Sequence, residues 1–277
     1  MLTVQVGQCG NQLGRALFEK MAAEQEDPAF FRPADDVCSD RSIVQGRPRR
    51  ARAVLIDMEP KVIQQCLRKA TASRSRGKSS SAGWEYEAKN TFTRQSGSGN
   101  NWANGYKIHG TQAESELLDL LQSEAERCDL LKGFLTLQSA AGGTGSGLGS
   151  FLTERLADFF PSASLLNAVV WPYHSGEVIV QNYNAMLTMA SLSDAAHGIF
   201  MLQNDVASTV CQRLLCIPHP SFDDINDRLE SSTMDKAYDM FSHGAYLHQY
   251  ERFGVDREFF QQAFLRIDQV TQNYQGL

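Results

Sequence analysis

Apolar stretches of strand length alternate along this chain with longer segments of helical period. This alternation is typical of parallel strands joined by crossover helices, so it predicts a doubly wound α/β layer with a mainly parallel sheet. The predicted strands cover residues 2–6, 53–57, 133–138, 165–171 and 198–202. The predicted helices cover residues 11–25, 60–69, 112–128, 147–159, 180–192 and 206–215. Because ligands of such sheets bind where loops leave the carboxyl ends of the strands, chemistry is expected in those loops.

The last part of the chain has a different pattern, with no strand in it. After a helical segment at 223–232, two helices are predicted, each with an apolar stripe that we expect to pack on the α/β layer. The first stripe is Tyr238, Phe241 and Ala245, and the second is Phe260, Phe264, Ile267 and Tyr274. Two polar interruptions, 27–50 and 72–83, are interpreted as mobile surface loops whose basic residues face water.

Composition narrows the function classes. With 42% hydrophobic residues the chain can bury a sizeable core, and a net charge of −6 argues against a dedicated nucleic-acid binder. The six cysteines are scattered and form no C-x-x-C pairs. The chain begins with strand-like residues instead of a charged stretch followed by an apolar one. From both features we expect a reduced, intracellular compartment. No apolar run approaches the roughly 20 residues of a membrane-spanning helix, so no membrane span is expected.

The strongest local signal is a glycine-rich run, residues 139–149, between a predicted strand and a predicted helix. Glycines let the backbone approach an oxyanion, and successive N–H groups with a helix amino end supply donors without a charged side chain. A P-loop is disfavoured because no lysine follows, and the dinucleotide fingerprint is disfavoured because Ser150 stands at its last glycine position. The run predicts a phosphate-binding loop, with a tight turn that binds no ligand as the alternative.

Two further loops are also rich in glycine and amide side chains. One follows the first predicted strand, at 7–12, and the other stands later in the chain, at 97–101. Three such loops can enclose one polyphosphate. Asp57 and Glu59 precede Pro60 at the start of a helix, which is explained either by helix capping or by carboxylates that hold a hydrated Mg²⁺ beside the phosphates.

At these loops the sequence resembles the tubulin family, whose signature Gly-Gly-Thr-Gly-Ser-Gly stands at 142–147. The resemblance covers residues 2–232, as a tubulin-type nucleotide-binding domain, and resumes at 234–277, as carboxyl-terminal helices. Within the family, the blocks at 54–63, 97–103 and 171–184 are similar to the delta class.

The resemblance implies a GTP or GDP site with Mg²⁺, and it assigns a role to each group of residues. The phosphate and base side would be lined by Gln8, Cys9 and Gln12. The metal would be flanked by Asp57 and Glu59. The terminal phosphate would be approached by Gly99, Asn100 and Asn101. The diphosphate would be held by Ser139, Gly142, Gly143, Thr144, Gly145, Ser146 and Gly147. The ribose would be contacted by Glu177 and Gln181, and the base by Asn204, Phe222 and Asn226.

One departure from the family pattern bears on catalysis. In the family, the core helix is followed by a loop that carries the catalytic acid and then by an intermediate domain. In this sequence the helical segment 223–232 leads directly to Met234. We therefore expect the intermediate domain to be absent, no catalytic residue to be present and hydrolysis to be weak at most.

The function implied by the resemblance is that of a GTP-binding cytoskeletal protein of centrioles, the centrosome, basal bodies and cilia, in which nucleotide is mainly structural or regulatory. Its partners would be other tubulins or microtubules, centriolar proteins and tubulin-folding chaperones. Two alternatives stay open. One is a self-contained low-rate GTPase that uses Glu59 or Glu177, and the other is a non-polymerising truncated isoform that binds tubulin partners.

Overall fold

A computed structural model describes residues 1–24, 29–33, 48–73, 83–172, 178–203, 237 and 239–275 of the chain. The predicted helix 206–215 and the predicted segment 223–232 lie outside these residues, as do the side chains of Tyr238 and Tyr274. None of the helices in the described ranges combines the length and the apolar character that a membrane crossing needs.

The central sheet of the described residues has six parallel strands in the order β6-β4-β1-β7-β8-β9. Its strands are β1 Leu2–Val6, β4 Ala53–Asp57, β6 Thr91–Thr93, β7 Gly133–Ser139, β8 Ser164–Trp171 and β9 Gly198–Gln203. The five predicted strands are thereby confirmed to within one residue at each end, and the short edge strand β6 is additional. Strands β1 and β4 are buried on both faces, as continuous apolar runs in a parallel sheet require.

The chain order of the strands creates a switch point between β1 and β7. From β1 the sheet grows through β4 and β6 to one side, and from β7 it grows through β8 and β9 to the other. The two central strands are in register, with Leu2 beside Phe134 and Gln5 beside Leu137. Loops that leave the carboxyl ends of such neighbouring strands diverge, and the crevice between them is the usual ligand site of this fold class.

Helices cover the sheet and lead away from the site loops. They are α1 Gly7–Glu24, α2 Pro60–Ser73, α3 Thr111–Ala125, α4 Gly149–Phe159, α5 Gln181–Ala195, α6 Leu247–Glu251 and α7 Arg257–Gln275. Two wide π-helical turns, Asn104–Gly110 and Thr144–Leu148, run directly into α3 and α4. The predicted start of α4, at about residue 147, lies in the wide turn, two residues before the α-helix begins.

The carboxyl-terminal helices pack on α5 through an aromatic cluster, as the second predicted stripe indicates, and Tyr250, which was in neither stripe, also belongs to it. Tyr183 of α5 lies edge-on to Tyr250 and Phe260, with ring centroids 5.5 and 4.8 Å apart. All three side chains are fully buried, and Phe264 and Ile267 continue the contact along α7. A second, small sheet contains β2 Phe31–Arg32, β3 Arg49–Ala51 and β5 Trp84–Glu85.

The interpretation of 27–50 as a mobile loop was wrong for residues 31–32 and 49–50, which lie in strands of this small sheet. Arg50 forms an ion pair of 2.6 Å with Glu85, and Phe31 and Trp84 pack against the buried ring of Phe18. Strands of two or three residues carry too little periodicity to be recognised in a sequence.

Candidate functional site

Four loops at the carboxyl ends of β1, β4, β6 and β7 meet above the switch point. The loop after β7, residues 139–148, is called the glycine loop below, and residues 97–101 after β6 are called the Ser98 loop. The remaining two contribute the first turn of α1 and the turn at Asp57.

Gly7 brings the end of β1 into backbone contact with the glycine loop. Its φ of +74° is a left-handed conformation, and a Cβ atom at this position would lie 2.9 Å from the backbone nitrogen of Gly145. Any side chain here would combine backbone strain with a steric overlap. The glycine therefore permits the close approach of the two loops.

The glycine loop and the Ser98 loop are also in direct contact. A Cβ atom on Gly143 would lie 2.7 Å from the backbone nitrogen of Asn101, and the hydroxyl oxygens of Ser98 and Thr144 are 2.9 Å apart. Gly99 and Asn100 both have positive φ, at +57° and +52°. This conformation is unusual for a residue with a side chain, although asparagine tolerates it better than most.

Both loops present backbone donors. Among the described residues, no acceptor is paired with the N–H groups of Gly142 and Gly143, nor with those of Gly99 and Asn100. Backbone N–H groups are obligatory donors, so a row of them without a protein acceptor is suited to an anion. Such an arrangement can bind a phosphate without a lysine.

The side chains of the glycine loop stabilise the loop itself. The Ser139 hydroxyl accepts a hydrogen bond of 3.2 Å from the Ala141 N–H, and the Ser146 hydroxyl donates to the Gly142 carbonyl. Gly145, Ser146 and Gly147 are buried in the wide turn that leads into α4. Ser139 and Ser146 thus act on the loop's conformation in this structure.

The first turn of α1 carries Gln8, Cys9 and Gln12. Gln8 and Gln12 are exposed one turn apart, while Cys9 between them is half-buried. Burial raises the pKa of the Cys9 thiol to about 11, so the thiol is neutral and a poor nucleophile near pH 7. The helix begins at Gly7, four residues before its predicted start, which places these side chains at its amino end.

Asn11 is a residue of this region that sequence reasoning did not identify. Its buried Nδ2 donates to the carbonyl oxygens of Gly7 at 2.9 Å and Ile56 at 3.0 Å. It therefore joins the carboxyl ends of β1 and β4. Nothing in the local pattern distinguishes it from an asparagine on a helix surface.

Asp57 ends β4 and is 4% exposed. Burial raises the pKa of its carboxyl to about 6, and the nearby charge of Glu59 raises it further. Hydrogen bonds from the Met58 and Glu59 N–H groups lower this pKa in part. Both N–H groups precede Pro60, the first residue of α2, so these bonds do not cap that helix. The other carboxylate oxygen, Oδ2, has no partner among the described residues. A buried carboxylate oxygen without a partner fits a hard cation such as Mg²⁺.

Glu59 is exposed and reaches the Ser98 loop. Its Oε1 would lie 3.1 Å from a Cβ atom on Gly97. The Glu59 carboxylate is thus close to the Ser98 loop, which the sequence assigns to the terminal phosphate. Among the described residues, no group of three or more His, Cys, Asp or Glu side chains could hold a metal ion without further ligands.

Asn101 has a different environment from Asn100. It is buried, its Nδ2 donates to the Gln249 carbonyl at 3.0 Å, and its Oδ1 accepts from the Asn104 N–H at 3.2 Å. Its side chain connects the Ser98 loop to α6. Beside this contact lies a cleft of about 610 Å³. It is lined by Gly97, Ser98, Gly99, Asn101, Asn104, His248, Gln249, Arg252 and Phe253.

The predicted ribose and base contacts are only partly described. Gln181 is buried at the first position of α5, where its N–H donates to the Val178 carbonyl at 3.0 Å. Glu177, Asn204, Phe222 and Asn226 lie outside the described residues.

Asn184 was also missed by sequence reasoning. It is fully buried one turn into α5, and its Nδ2 donates to the Asn100 carbonyl at 2.9 Å and to the Ala141 carbonyl at 2.7 Å. It thereby contacts the Ser98 loop and the glycine loop together. Its position one turn after Gln181 is the only sequence signal that could have suggested it.

Comparison with known proteins agrees with this geometry. Residues 1–212 match the family described as "Tubulin/FtsZ family, GTPase domain". The tubulin delta chain of Canis lupus familiaris is 40% identical over 243 residues, and that of Mus musculus is 41% identical over 246 residues. The tubulin beta chain of Porphyra purpurea is 33% identical over 239 residues.

Each of these alignments covers 83% of this chain but only 50–51% of the relative. The chain thus spans about half the length of the curated relatives it matches. The family match covers both central strands and the four loops that meet above the switch point. On this match, and on a parallel sheet with the glycine loop at its switch point, the chain belongs to the Tubulin/FtsZ family.

Proposed function

We propose that this chain binds GTP and GDP in the crevice between the glycine loop, the Ser98 loop and the first turn of α1. The observation that carries the proposal is the set of backbone N–H groups at Gly142, Gly143, Gly99 and Asn100 that have no acceptor among the described residues. The glycine loop would hold the diphosphate, and the Ser98 loop would approach the terminal phosphate. Such donors favour an oxyanion without a lysine.

The remaining contacts follow the family assignment. Gln8, Cys9 and Gln12 would line the phosphate and base side, Glu177 and Gln181 the ribose, and Asn204, Phe222 and Asn226 the guanine. An aromatic ring can stack on a purine, and carboxamides offer both donors and acceptors to its edge. The amino-end position of Gln8 and Gln12 on α1 supports their part of this assignment.

Mg²⁺ would be held beside the phosphates by Asp57, with Glu59 next to it. The unpaired, buried Oδ2 of Asp57 supports this placement, and one or two carboxylates suffice for a cation that keeps most of its waters. When bound, the ion would neutralise part of the phosphate charge. In its absence the carboxyl of Asp57 keeps a raised pKa, because the bonds from the Met58 and Glu59 N–H groups offset only part of the cost of burial.

The wider role proposed is that of a cytoskeletal protein of the delta class, acting at centrioles, the centrosome and the basal bodies of cilia. Other tubulins or microtubules, centriolar proteins and tubulin-folding chaperones would be its partners. The proposed division is a nucleotide-binding domain at 1–232 and a helical segment at 234–277, without an intermediate domain. Identity to delta chains and coverage of half their length support these proposals.

Nucleotide would act mainly as a structural or regulatory ligand. A ligand that binds only the folded state stabilises it by mass action, by about 2.7 kcal/mol at one hundred times Kd. Isothermal titration of the chain with GTP, GDP and ATP, each with Mg²⁺ and with EDTA, tests the proposal. Saturable binding of both guanine nucleotides, weaker binding of ATP and weaker binding in EDTA are expected.

Absence of binding, together with an unchanged melting temperature at millimolar GTP, would contradict the proposal. Phosphate release measured in the same samples tests the alternative of a self-contained GTPase. Release that scales linearly with protein and disappears in Glu59→Ala would favour that alternative over a structural ligand.

A further inference from the structure

Asn184 uses every hydrogen-bonding group of its side chain. Nδ2 donates to the carbonyl oxygens of Asn100 and Ala141, while Oδ1 accepts from the Trp102 N–H at 2.9 Å and from the Tyr250 hydroxyl at 2.7 Å. A carboxamide offers two donors and one oxygen with two lone pairs, so this side chain is saturated. It is fully buried, and the loss of any partner leaves a buried polar group unpaired.

The bond to Ala141 determines the direction of a donor in the glycine loop. The C=O and N–H groups of a trans peptide unit point in opposite directions, and no cis peptide is present among the described residues. Because the Ala141 carbonyl points to Asn184, the N–H of Gly142 in the same peptide unit points away from it. This N–H is one of those without an acceptor.

The bond to Asn100 restrains a peptide unit of the Ser98 loop. The Asn100 carbonyl points to Asn184, and the N–H of Asn101 in the same peptide unit donates to the Ser98 carbonyl at 3.1 Å. Both ends of this peptide unit are therefore bonded. The turn with positive φ at Gly99 and Asn100 precedes it directly.

Two donors orient the amide of Asn184, namely the Trp102 N–H and the hydroxyl of Tyr250. The Tyr250 hydroxyl donates to Oδ1 at 2.7 Å, and the Val180 carbonyl is a more distant acceptor at 3.4 Å. Burial raises the pKa of this hydroxyl well above its usual value, so it stays a donor at all ordinary pH values. With Oδ1 engaged by Tyr250 and the Trp102 N–H, only Nδ2 is free to face the two loop carbonyls. Tyr250 belongs to α6, in the carboxyl-terminal segment of residues 239–268.

We propose that Asn184 is a positioning residue for the phosphate site and that, through Tyr250, it couples docking of the carboxyl-terminal segment to nucleotide binding. The inference rests on the proposed function. If the segment orients the donors that hold the phosphates, bound nucleotide must in turn stabilise the docked segment, since such coupling is reciprocal.

The chain offers a matched pair of variants for the test. Tyr250→Phe removes the hydroxyl that faces Asn184, and Tyr183→Phe removes one that donates to the Ala245 carbonyl at 2.9 Å. Both rings are fully buried in the same aromatic cluster, and both hydroxyls bond across the contact between α5 and the carboxyl-terminal segment. Of the two hydroxyls, only that of Tyr250 bonds to Asn184, which in turn contacts the Ser98 loop and the glycine loop.

Titration of the full chain with GTP should show about fivefold weaker binding for Tyr250→Phe, as expected for one lost hydrogen bond, and less than about twofold change for Tyr183→Phe. Urea unfolding without nucleotide measures the stability that each variant loses. Equal GTP affinities for the two variants, at whatever stability, would overturn the inference. No GTP binding to the parent chain would instead overturn the proposed function, and this inference with it.

A second measurement needs no variant, so it stands even if Tyr250→Phe fails to fold. Saturating GTP should slow amide hydrogen exchange in residues 239–268 of the parent chain by at least about threefold, because the docked segment is stabilised. An unchanged exchange rate in that segment, with GTP shown to be bound, would overturn the coupling.

Discussion

The hydroxyl oxygen of Ser98 lies 2.9 Å from that of Thr144, and this contact joins two loops that are 46 residues apart in the chain. Ser98 is buried and Thr144 begins the wide turn that leads into α4. The two loops thus form one surface, on which donors assigned to the diphosphate adjoin those assigned to the terminal phosphate.

Ser98→Ala should weaken GTP binding by about three- to tenfold, because the hydrogen bond that holds the Ser98 loop against Thr144 is lost. Binding of GDP should change less, since that loop is assigned to the terminal phosphate. Titration calorimetry with both nucleotides measures this difference. The control is Ser193→Ala, which removes a half-buried hydroxyl that donates to the Met189 carbonyl within α5. Equal GTP affinities for the two variants would contradict the prediction.

Gly7→Ala should lower the free energy of unfolding more than Gly254→Ala does. Gly254 has a similar φ of +78°, but a Cβ atom there would meet nothing within 4 Å. Gly254→Ala should therefore cost about 1–2 kcal/mol from backbone strain alone. Gly7→Ala should add the overlap with Gly145 to that strain. Urea unfolding of both variants gives the difference, and a loss at Gly7 no larger than that at Gly254 would be inconsistent with the close approach.

Asp57 should make the chain more stable as the pH falls from 7 to 4 in the absence of metal. Its pKa of about 6 in the folded chain exceeds the ordinary 3.8, so the folded state binds the proton more tightly. This stabilisation is fully present below pH 3.8 and is lost as the pH rises through 6. Its size is about 3 kcal/mol, since each tenfold difference in proton affinity is worth about 1.4 kcal/mol.

Urea unfolding in EDTA at pH 4 to 7 measures this effect by comparison with Asp57→Asn, which removes the titrating group. Asp119→Asn is the control, because it removes the same charge from an exposed site on α3. The pH dependence of the parent chain should persist in the control and be reduced in Asp57→Asn. Parallel curves for the two variants would show that Asp57 is not the source.

His109 should have the opposite effect on stability. Burial lowers its pKa, against a hydrogen bond to the backbone of Gly97 that raises it, and Nε2 has no partner among the described residues. The unfolded chain therefore binds a proton near pH 6.5 more readily than the folded chain. Stability from this group is complete above pH 6.5 and is lost as the pH falls below it.

His109→Asn keeps a side-chain N–H donor while removing the titrating group. Between pH 7.5 and 5.5, the parent chain should lose stability relative to this variant. Unfolding curves at both pH values provide the measurement. A constant difference between the two chains would mean that His109 does not titrate differently on unfolding.

Much of the fold could be predicted because its signals are local. Strand β4 and the end of α4 fall on the predicted residues, since a parallel strand covered on both faces is a continuous apolar run and a crossover helix has its own period. The small sheet was missed because Phe31, Arg50 and Trp84 become neighbours only through long-range pairing.

The sequence by itself predicted which loop would bind a phosphate, because a glycine-rich run between a strand and a helix has few other uses, and it determined the strands on either side of the sheet's centre. Only the tertiary structure decided which residues support that run. Asn184 and Tyr250 lie 66 positions apart and meet beneath loops that are themselves distant in sequence. A buried hydrogen-bond network has no periodicity, so its members become recognisable only when packing has brought their atoms together.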